Sequence, residues 1–289
     1  MGAEPRSPEF IGRITEILDA ATAVDGVAPL GEQAVKGVGR PDVTEVTVRD
    51  DDQIVGYANV TPARDDEPAV IELVVDPDHR RRGHGRALLD ETRNRVTGDV
   101  RVWAHGDLPA ARALAAASGL TARRQLLQLR RPLPDPALPE LVVPDDVVLR
   151  TYAGPSDDAE IIRVNNVAFA WHPEQGGWGS QQIDERTGAA WFDPAGVFLA
   201  FDAAEPNRLL GFHWTKIHSP SLGEVYIVGV DSAAQGRGLG RLLTLAGLHY
   251  LADQGVDEVE LYVEGDNTAA LNTYGKLGFG QYASDVAYG

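Results

Sequence analysis

A short pattern occurs twice in the chain, and its second appearance limits the fold more than any other feature. Displacing the sequence by 155 residues brings Arg80, Gly83, Gly85 and Arg86 onto Gln235, Gly238, Gly240 and Arg241, and Leu88 onto Leu243. A displacement of 159 residues brings Gly106, Asp107 and Gly119 onto Gly265, Asp266 and Gly278, with Ala110 and Ala111 on Ala269 and Ala270. One unit duplicated in tandem, with a four-residue difference between blocks, accounts for both registers. The 289 residues suit two domains of ordinary size, each able to bury a core.

Each copy reads as mixed α/β, with a central sheet flanked by helices. In the first, apolar periodicity predicts a helix over 10–28, strands over 45–48, 54–61 and 69–76, a helix over 86–96, a strand over 100–104 and a helix over 109–117. The order returns with a strand over 147–152, a helix over 157–168, strands over 197–201, 209–216 and 224–230, a helix over 239–252, a strand over 258–263 and a helix over 268–277. Pro132, Pro134, Pro136, Pro139 and Pro144, mixed with Asp and Glu, favour extended solvated chain. Domains over 1–131 and 147–289, joined by a linker over 132–146, are therefore expected.

Charge and cysteine usage narrow the partners. The formal charge is −17, divided as −3 over 1–131 and −14 over 132–289. Such a field disfavours nucleic acid and concentrates a cationic small molecule such as an amine. Cysteine is absent, which removes disulfides, thiolate metal sites and a cysteine nucleophile; no metal is expected. No run of about 18 apolar residues and no export signal is seen, so a cytoplasmic protein without a membrane span, acting as a monomer, is the expectation.

The duplicated pattern also carries chemistry. In each copy a strand ends in an Asp, and a glycine-rich turn then enters an aliphatic helix. Glycines let backbone N–H groups approach an anion, and the helix start adds its positive dipole end, an arrangement suited to a diphosphate. No Gly-Lys-Ser/Thr follows, and the spacing is wrong for a dinucleotide fingerprint.

Val228-Gly229-Val230, the Gln-Gly-Arg-Gly-Leu-Gly turn from Gln235 to Gly240, the segment from Asn267 to Tyr274 and Leu277-Gly278-Phe279 closely resemble the GNAT acetyltransferase superfamily. The resemblance covers essentially the whole chain, twice. It implies acetyl-CoA as co-substrate, held in both copies or in the second alone. In the second copy the implied cofactor positions are Val228, Gly229, Val230, Gln235, Gly236, Arg237, Gly238, Leu239, Gly240 and Arg241, with Asn267, Thr268, Ala269, Ala270, Leu271 and Asn272. In the first they are Leu73, Val74, Val75, Arg81, Arg82, Gly83, His84, Gly85 and Arg86. Family members splay at a bulge before the turn, and Gly229 is compatible with that bulge.

Two residues suit acid–base work. Seven helical positions bring Tyr274 back to within about 20° of Asn267, so it can protonate a departing CoA thiolate. Glu224 is expected to open the cofactor strand on the same face as Tyr226 and Val228. Four residues of strand span ~13 Å, so Glu224 as general base needs a water to relay the proton. The first copy has Ala69, Ala115, Leu108 and Trp103 where the second has Glu224, Tyr274, Asn267 and Tyr262. The second copy is thus expected to catalyse direct transfer, with a backbone N–H near Val230 stabilising the oxyanion. The first is expected to be degenerate, holding acetyl-CoA unproductively or serving as a scaffold.

The stretch from Asn165 to Trp178, with His172-Pro-Glu-Gln-Gly at its centre, resembles tandem members of the superfamily that acetylate the cysteinyl amine of cysteinyl-glucosaminyl-inositol. That resemblance implies substrate contacts from Glu32, Glu174, Lys216, Glu224 and Tyr262; His172, set between Trp171 and Pro173, reads as structural. Another amine acceptor, an aminoglycoside or a peptide N-terminus, stays open at this point, as does a non-catalytic acetyl-CoA sensor.

Overall fold

The computed structural model describes residues 6–63, 68–133, 135–170 and 176–289. Its helices are α1 (Pro8–Asp25), α2 (Glu32–Gly37), α3 (His84–Asn94), α4 (Pro109–Ala117), α5 (Asp158–Ala168), α6 (Ser180–Thr187), α7 (Leu239–Asp253) and α8 (Thr268–Lys276). Its strands are β1 (Thr44–Asp50), β2 (Gln53–Thr61), β3 (Ala69–Val75), β4 (Val100–Ala104), β5 (Ala122–Pro132), β6 (Val147–Thr151), β7 (Val197–Asp202), β8 (Leu209–Ser219), β9 (Leu222–Val230), β10 (Glu258–Glu264) and β11 (Gly280–Tyr288). Local chemistry sets the ends. The Ser7 side chain accepts from the Phe10 N–H, Pro8 occupies the first turn of α1, and Gly26 ends that helix at φ 73°.

The chain forms two compact units. The first comprises 1–126 with 283–289, the second 127–282. The first unit has the strand order β1-β2-β3-β4-β11, and the second β5-β10-β9-β8-β7-β6. In both, an antiparallel meander leads into one parallel pair, and a helix makes the crossover. Ile14, Ile17, Leu18 and Ala21 of α1 pack on Tyr57 and Val74, while Leu245, Leu248 and Leu251 of α7 pack on Val225, Val259 and Leu261.

The parallel pair is short in both units. Ala69, Val70 and Ile71 pair with Val100, Arg101 and Val102. Leu222, Gly223 and Glu224 pair with Glu258, Val259 and Glu260. Beyond those positions the pairing stops, and the later backbone of β3 and β9 is left with an unpaired edge. The Asp after each strand is held alike: Asp76 takes Arg13 at 2.5 Å and the Asp78 N–H, and Asp231 takes Arg163 at 2.6 Å and the Ala233 N–H. Both carboxyls stay below the usual carboxylate range; burial opposes this and the arginines outweigh it.

Four sequence expectations change. The segment over 132–146 is solvated only in part: Leu133 is buried in the second core and Leu138 and Leu141 pack against it, while residues 135–137, 140 and 142–146 are exposed. Arg131 donates to the Leu277 and Pro136 carbonyls, and His249 meets the Pro139 carbonyl. Proline keeps the chain extended, and the leucines between the prolines give it a face to bury. The compact units divide at 126/127 and 282/283, and not around 132–146, since β5 and β11 each contribute to both units.

The bulge of β9 lies at Tyr226. Trp214 pairs with Ile227 and Thr215 with Val225, so Tyr226 is the extra residue. Gly229 instead stands opposite Phe212, whose ring would lie 2.7 Å from an added Cβ. The bulge also changes parity. Val225 and Val228 pack together toward α7, while Tyr226 and Ile227 pack with α5, so Glu224, the third residue of β9, does not share a face with Val228.

Candidate functional site

The second unit holds a cavity of about 770 Å³ where β9, α7 and α8 meet. It is lined by Val228 and Val230 of β9, by Gln235, Gly236, Gly238, Leu239, Gly240 and Arg241 of the turn, and by Asn267, Ala269, Ala270 and Tyr274 of α8. All but Tyr274, the expected acid, are expected cofactor positions. Gly229, Arg237, Thr268, Leu271 and Asn272 do not line it; Leu271 packs into the core, and Arg237 pairs with Asp146 at 2.7 Å. Thr244 and Thr273 line it and carried no separable sequence signal; Phe169, of the 165–178 stretch, and Asp266, the duplicate of Asp107, line it as well.

The turn fits a diphosphate. Gly236 and Gly238 have φ of 81° and 78°, the left-handed region that side chains disfavour. Gly240 has no such φ, yet nothing lies within 4 Å of the position its Cβ would take. Among the described residues no contact demands glycine there, and the open space leaves room for close approach of a ligand. No side chain caps the start of α7, so its first N–H groups stay available to an anion.

Tyr274 is half-buried, edge-on to Phe279 at 5.7 Å between centroids, and lines this cavity. Burial pushes its phenol up to about 12, so the hydroxyl keeps its proton at neutral pH. Asn267 caps α8 through the Ala270 N–H at 3.1 Å, which fixes the helix that carries Tyr274.

The opposite face of the same sheet is polar. Lys216, Glu224 and Glu260 are cross-strand neighbours in one row, and Tyr262 follows Glu260 on that face. Three expected substrate residues, Lys216, Glu224 and Tyr262, therefore stand together. Glu224 is 8% exposed; burial holds its carboxyl above the usual carboxylate range and Glu260 adds to this, while His218 and Lys216 pull it down. Gln128 donates to Glu260 at 2.8 Å and lies 3.2 Å from the Tyr262 hydroxyl, and Arg130 pairs with Glu260 at 2.8 Å. Lys216 Nζ lies over the rings of Trp191 and Tyr226 at 5.0 and 5.5 Å, and Arg186 lies over Trp178 at 4.2 Å. His218, Trp191, Arg186, Gln128 and Arg130 were not foreseen, because isolated polar or aromatic residues in strands and loops have no periodic signature.

The first unit repeats the cavity with different walls. About 380 Å³ is enclosed by residues that include Leu73, Val74, Val75, Arg81, Gly83, His84, Gly85 and Arg86. Arg82 does not line it and pairs with Asp50 at 2.9 Å. Ala69 and Ala115, at the positions of Glu224 and Tyr274, are buried in the core. His105 is held between Glu72 at 2.6 Å and Asp285 at 3.3 Å. Burial alone would lower its pKa, and the two carboxylates override this to bring it up to about 9. Glu32 starts α2 and is exposed beside Lys36. Glu174 and His172 lie outside the described residues. Among the described residues no group of three side chains could hold a metal, and no helix is long and apolar enough to cross a membrane.

Comparison with known families matches residues 165–279 to the acetyltransferase (GNAT) family and residues 42–118 to an acetyltransferase (GNAT) domain. The GCN5-related N-acetyltransferase of Sphaerobacter thermophilus shares the fold over 99% of this chain and 93% of its own, at a TM-score of 0.73 and 21% identity. A tandem GNAT protein from the clavulanic acid biosynthesis pathway does so over 98% and 95%, at 0.64 and 21%. Fold and site together define a tandem GNAT acetyltransferase, an enzyme that uses acetyl-CoA.

Sequence relatives narrow this class. The mycothiol acetyltransferase of Gordonia bronchialis is 66% identical over 96% of this chain and 91% of its own length. That of Nocardia farcinica is 58% identical over 97% and 94%. The chain belongs to the mycothiol acetyltransferase family.

Proposed function

We propose that this enzyme acetylates the cysteinyl amine of cysteinyl-glucosaminyl-inositol to give mycothiol, by direct transfer in its second copy. One observation carries the mechanism: a buried carboxylate, Glu224, stands on one face of the splayed strand, and a protonated phenol, Tyr274, stands on the other. Acetyl-CoA supplies the activated acetyl thioester. Backbone N–H groups of the 235–241 turn and the start of α7 hold its diphosphate, and the unpaired edge of β9 takes the pantetheine arm by strand-like hydrogen bonds. A backbone N–H near Val230 meets the negative charge that develops on the thioester oxygen. Glu224 takes a proton from the acceptor ammonium through one water, and Tyr274 gives a proton to the departing sulfur.

The acceptor lies on the polar face. Glu224, Lys216 and Tyr262 bond its hydroxyls and amine, Glu174 adds a carboxylate, and the acidic field favours a cationic amine. The first copy holds acetyl-CoA without turning it over, because alanines stand where the second has its acid and base. The enzyme is a cytoplasmic monomer without nucleic-acid partners in this reading. Release of free CoA by purified protein tests it, with cysteinyl-glucosaminyl-inositol, an aminoglycoside and a short peptide as acceptors. Release with the first alone is expected; release with another amine alone would overturn the acceptor.

A further inference from the structure

Each transfer to an ammonium acceptor must discharge one proton. The N–C bond forms, the C–S bond breaks, and nitrogen loses two protons: one replaces the proton that Tyr274 gives to sulfur, and the other must leave. Glu224 is 8% exposed, so a proton delivered there needs an exit before the next turnover.

Lys216, Glu260 and His218 act on Glu224 on this face, with Arg130 paired to Glu260 and the phenols of Tyr226 and Tyr262 also present. Lys216 of β8 is its register partner, with its ammonium over Trp191 and Tyr226. Glu260 of β10 is its neighbour on the other side, with Oε2 taken by Gln128 and Arg130 of β5. His218 of β8 places Nε2 at 2.8 Å from Glu224 Oε2 and 3.8 Å from Glu260 Oε1, with a side chain 32% exposed. An ammonium and a guanidinium have no lone pair to accept a proton. Imidazole accepts on one nitrogen and donates from the other, and it exchanges protons readily between pH 5 and 8.

We propose that His218 carries the proton from Glu224 to bulk water in each turnover; the proposal rests on the transfer described above. The Glu224 carboxyl passes its proton to Nε2 of an imidazole that bears hydrogen on Nδ1. The imidazolium so formed, stabilised by Glu260, releases the Nδ1 proton to water, and the ring regains its starting tautomer by exchange with solvent. Glu224 is then ionised again. His218 acts through Glu224 and is a positioning residue that also conducts.

The test compares the full-length wild type with His218→Gln and His218→Ala, by CoA release at saturating acetyl-CoA and acceptor. Gln keeps a donor toward Glu224 and cannot relay. The expected result is a kcat loss of about 10- to 100-fold in both variants, with KM for acetyl-CoA within about twofold. Added imidazole is expected to restore His218→Ala saturably. In His218→Ala the acidic limb of kcat/KM moves to higher pH, since the hydrogen bond that pulls the Glu224 pKa down is gone. His218→Gln running at the wild-type rate, or imidazole leaving a folded His218→Ala unrescued, would overturn the relay while the wild-type transfer stands. Absence of transfer from the wild type would instead overturn the proposed function, and the relay with it.

Discussion

The two copies share a splayed parallel pair, a glycine turn and a capped Asp, and they differ in what stands around the gap. In the first, the ionisable groups satisfy one another: Glu72 and Asp285 close on His105, and alanines fill the positions of acid and base. In the second, Glu224 is buried with its carboxyl held above the usual range, and Tyr274 faces a cavity with its phenol held at about 12. Pairing with two carboxylates holds the His105 proton in place and serves the fold. Burial disfavours the charged form of Glu224 and leaves a carboxyl able to take up a proton, while Tyr274 keeps the phenol proton it can give.

The largest break in this comparison comes from the acid and base. Tyr274→Phe and Glu224→Gln should each lower kcat by about 10²- to 10⁴-fold, with acetyl-CoA binding retained in calorimetry. A pH series sharpens it. Activity needs ionised Glu224, so the acidic limb of kcat/KM should lie above the pH of an ordinary glutamate and fall as pH drops through that raised pKa.

The first copy should respond to pH through stability. The His105 pKa is raised to about 9 in the fold against about 6.5 in the unfolded chain. Its stabilisation is therefore complete below pH ~6.5 and lost as pH rises through about 9, worth at most about 3 kcal/mol. Denaturant unfolding at pH 6 and pH 9.5 should show that loss in the wild type and not in His105→Asn.

Smaller effects separate the turns. Gly240→Ala should raise KM for acetyl-CoA about tenfold, because the methyl group enters the space left for the ligand, while thermal stability rises by up to ~1 kcal/mol from helix propensity. Gly85 has Leu114 and Val75 at ordinary contact distance, 3.7 Å from an added Cβ. Gly85→Ala should leave transfer within about twofold, as a substitution compatible with the local packing and remote from the second copy.

The parts legible in the sequence were those with a period or a fixed spacing. Paired glycines gave the duplication, and β-branched runs gave most strands, because turn geometry and alternating burial leave local marks. In β5, Leu127 and Leu129 alternate with Gln128 and Arg130, and the surrounding arginines hid that period. Prolines over 132–146 argued for chain outside helix and sheet, and the leucines between them showed their packing partner only in three dimensions. Gly229 resembled a bulge position, yet the ring of Phe212 is what excludes a side chain, and that contact lies across strands. Tyr274 and Asn267 could be related by helical spacing, whereas the row of Lys216, Glu224 and Glu260, and the placing of His218 beside it, depend on two bulges that no local pattern announces.

The central claim is that one copy catalyses and the other does not. CoA release with cysteinyl-glucosaminyl-inositol, measured for the wild type and for Tyr274→Phe at equal acetyl-CoA occupancy, tests it most directly. The account predicts transfer by the wild type and a loss of at least about 100-fold in the variant. Undiminished transfer by Tyr274→Phe would contradict it, since the remaining activity would then have to come from groups other than the acid assigned to the second copy.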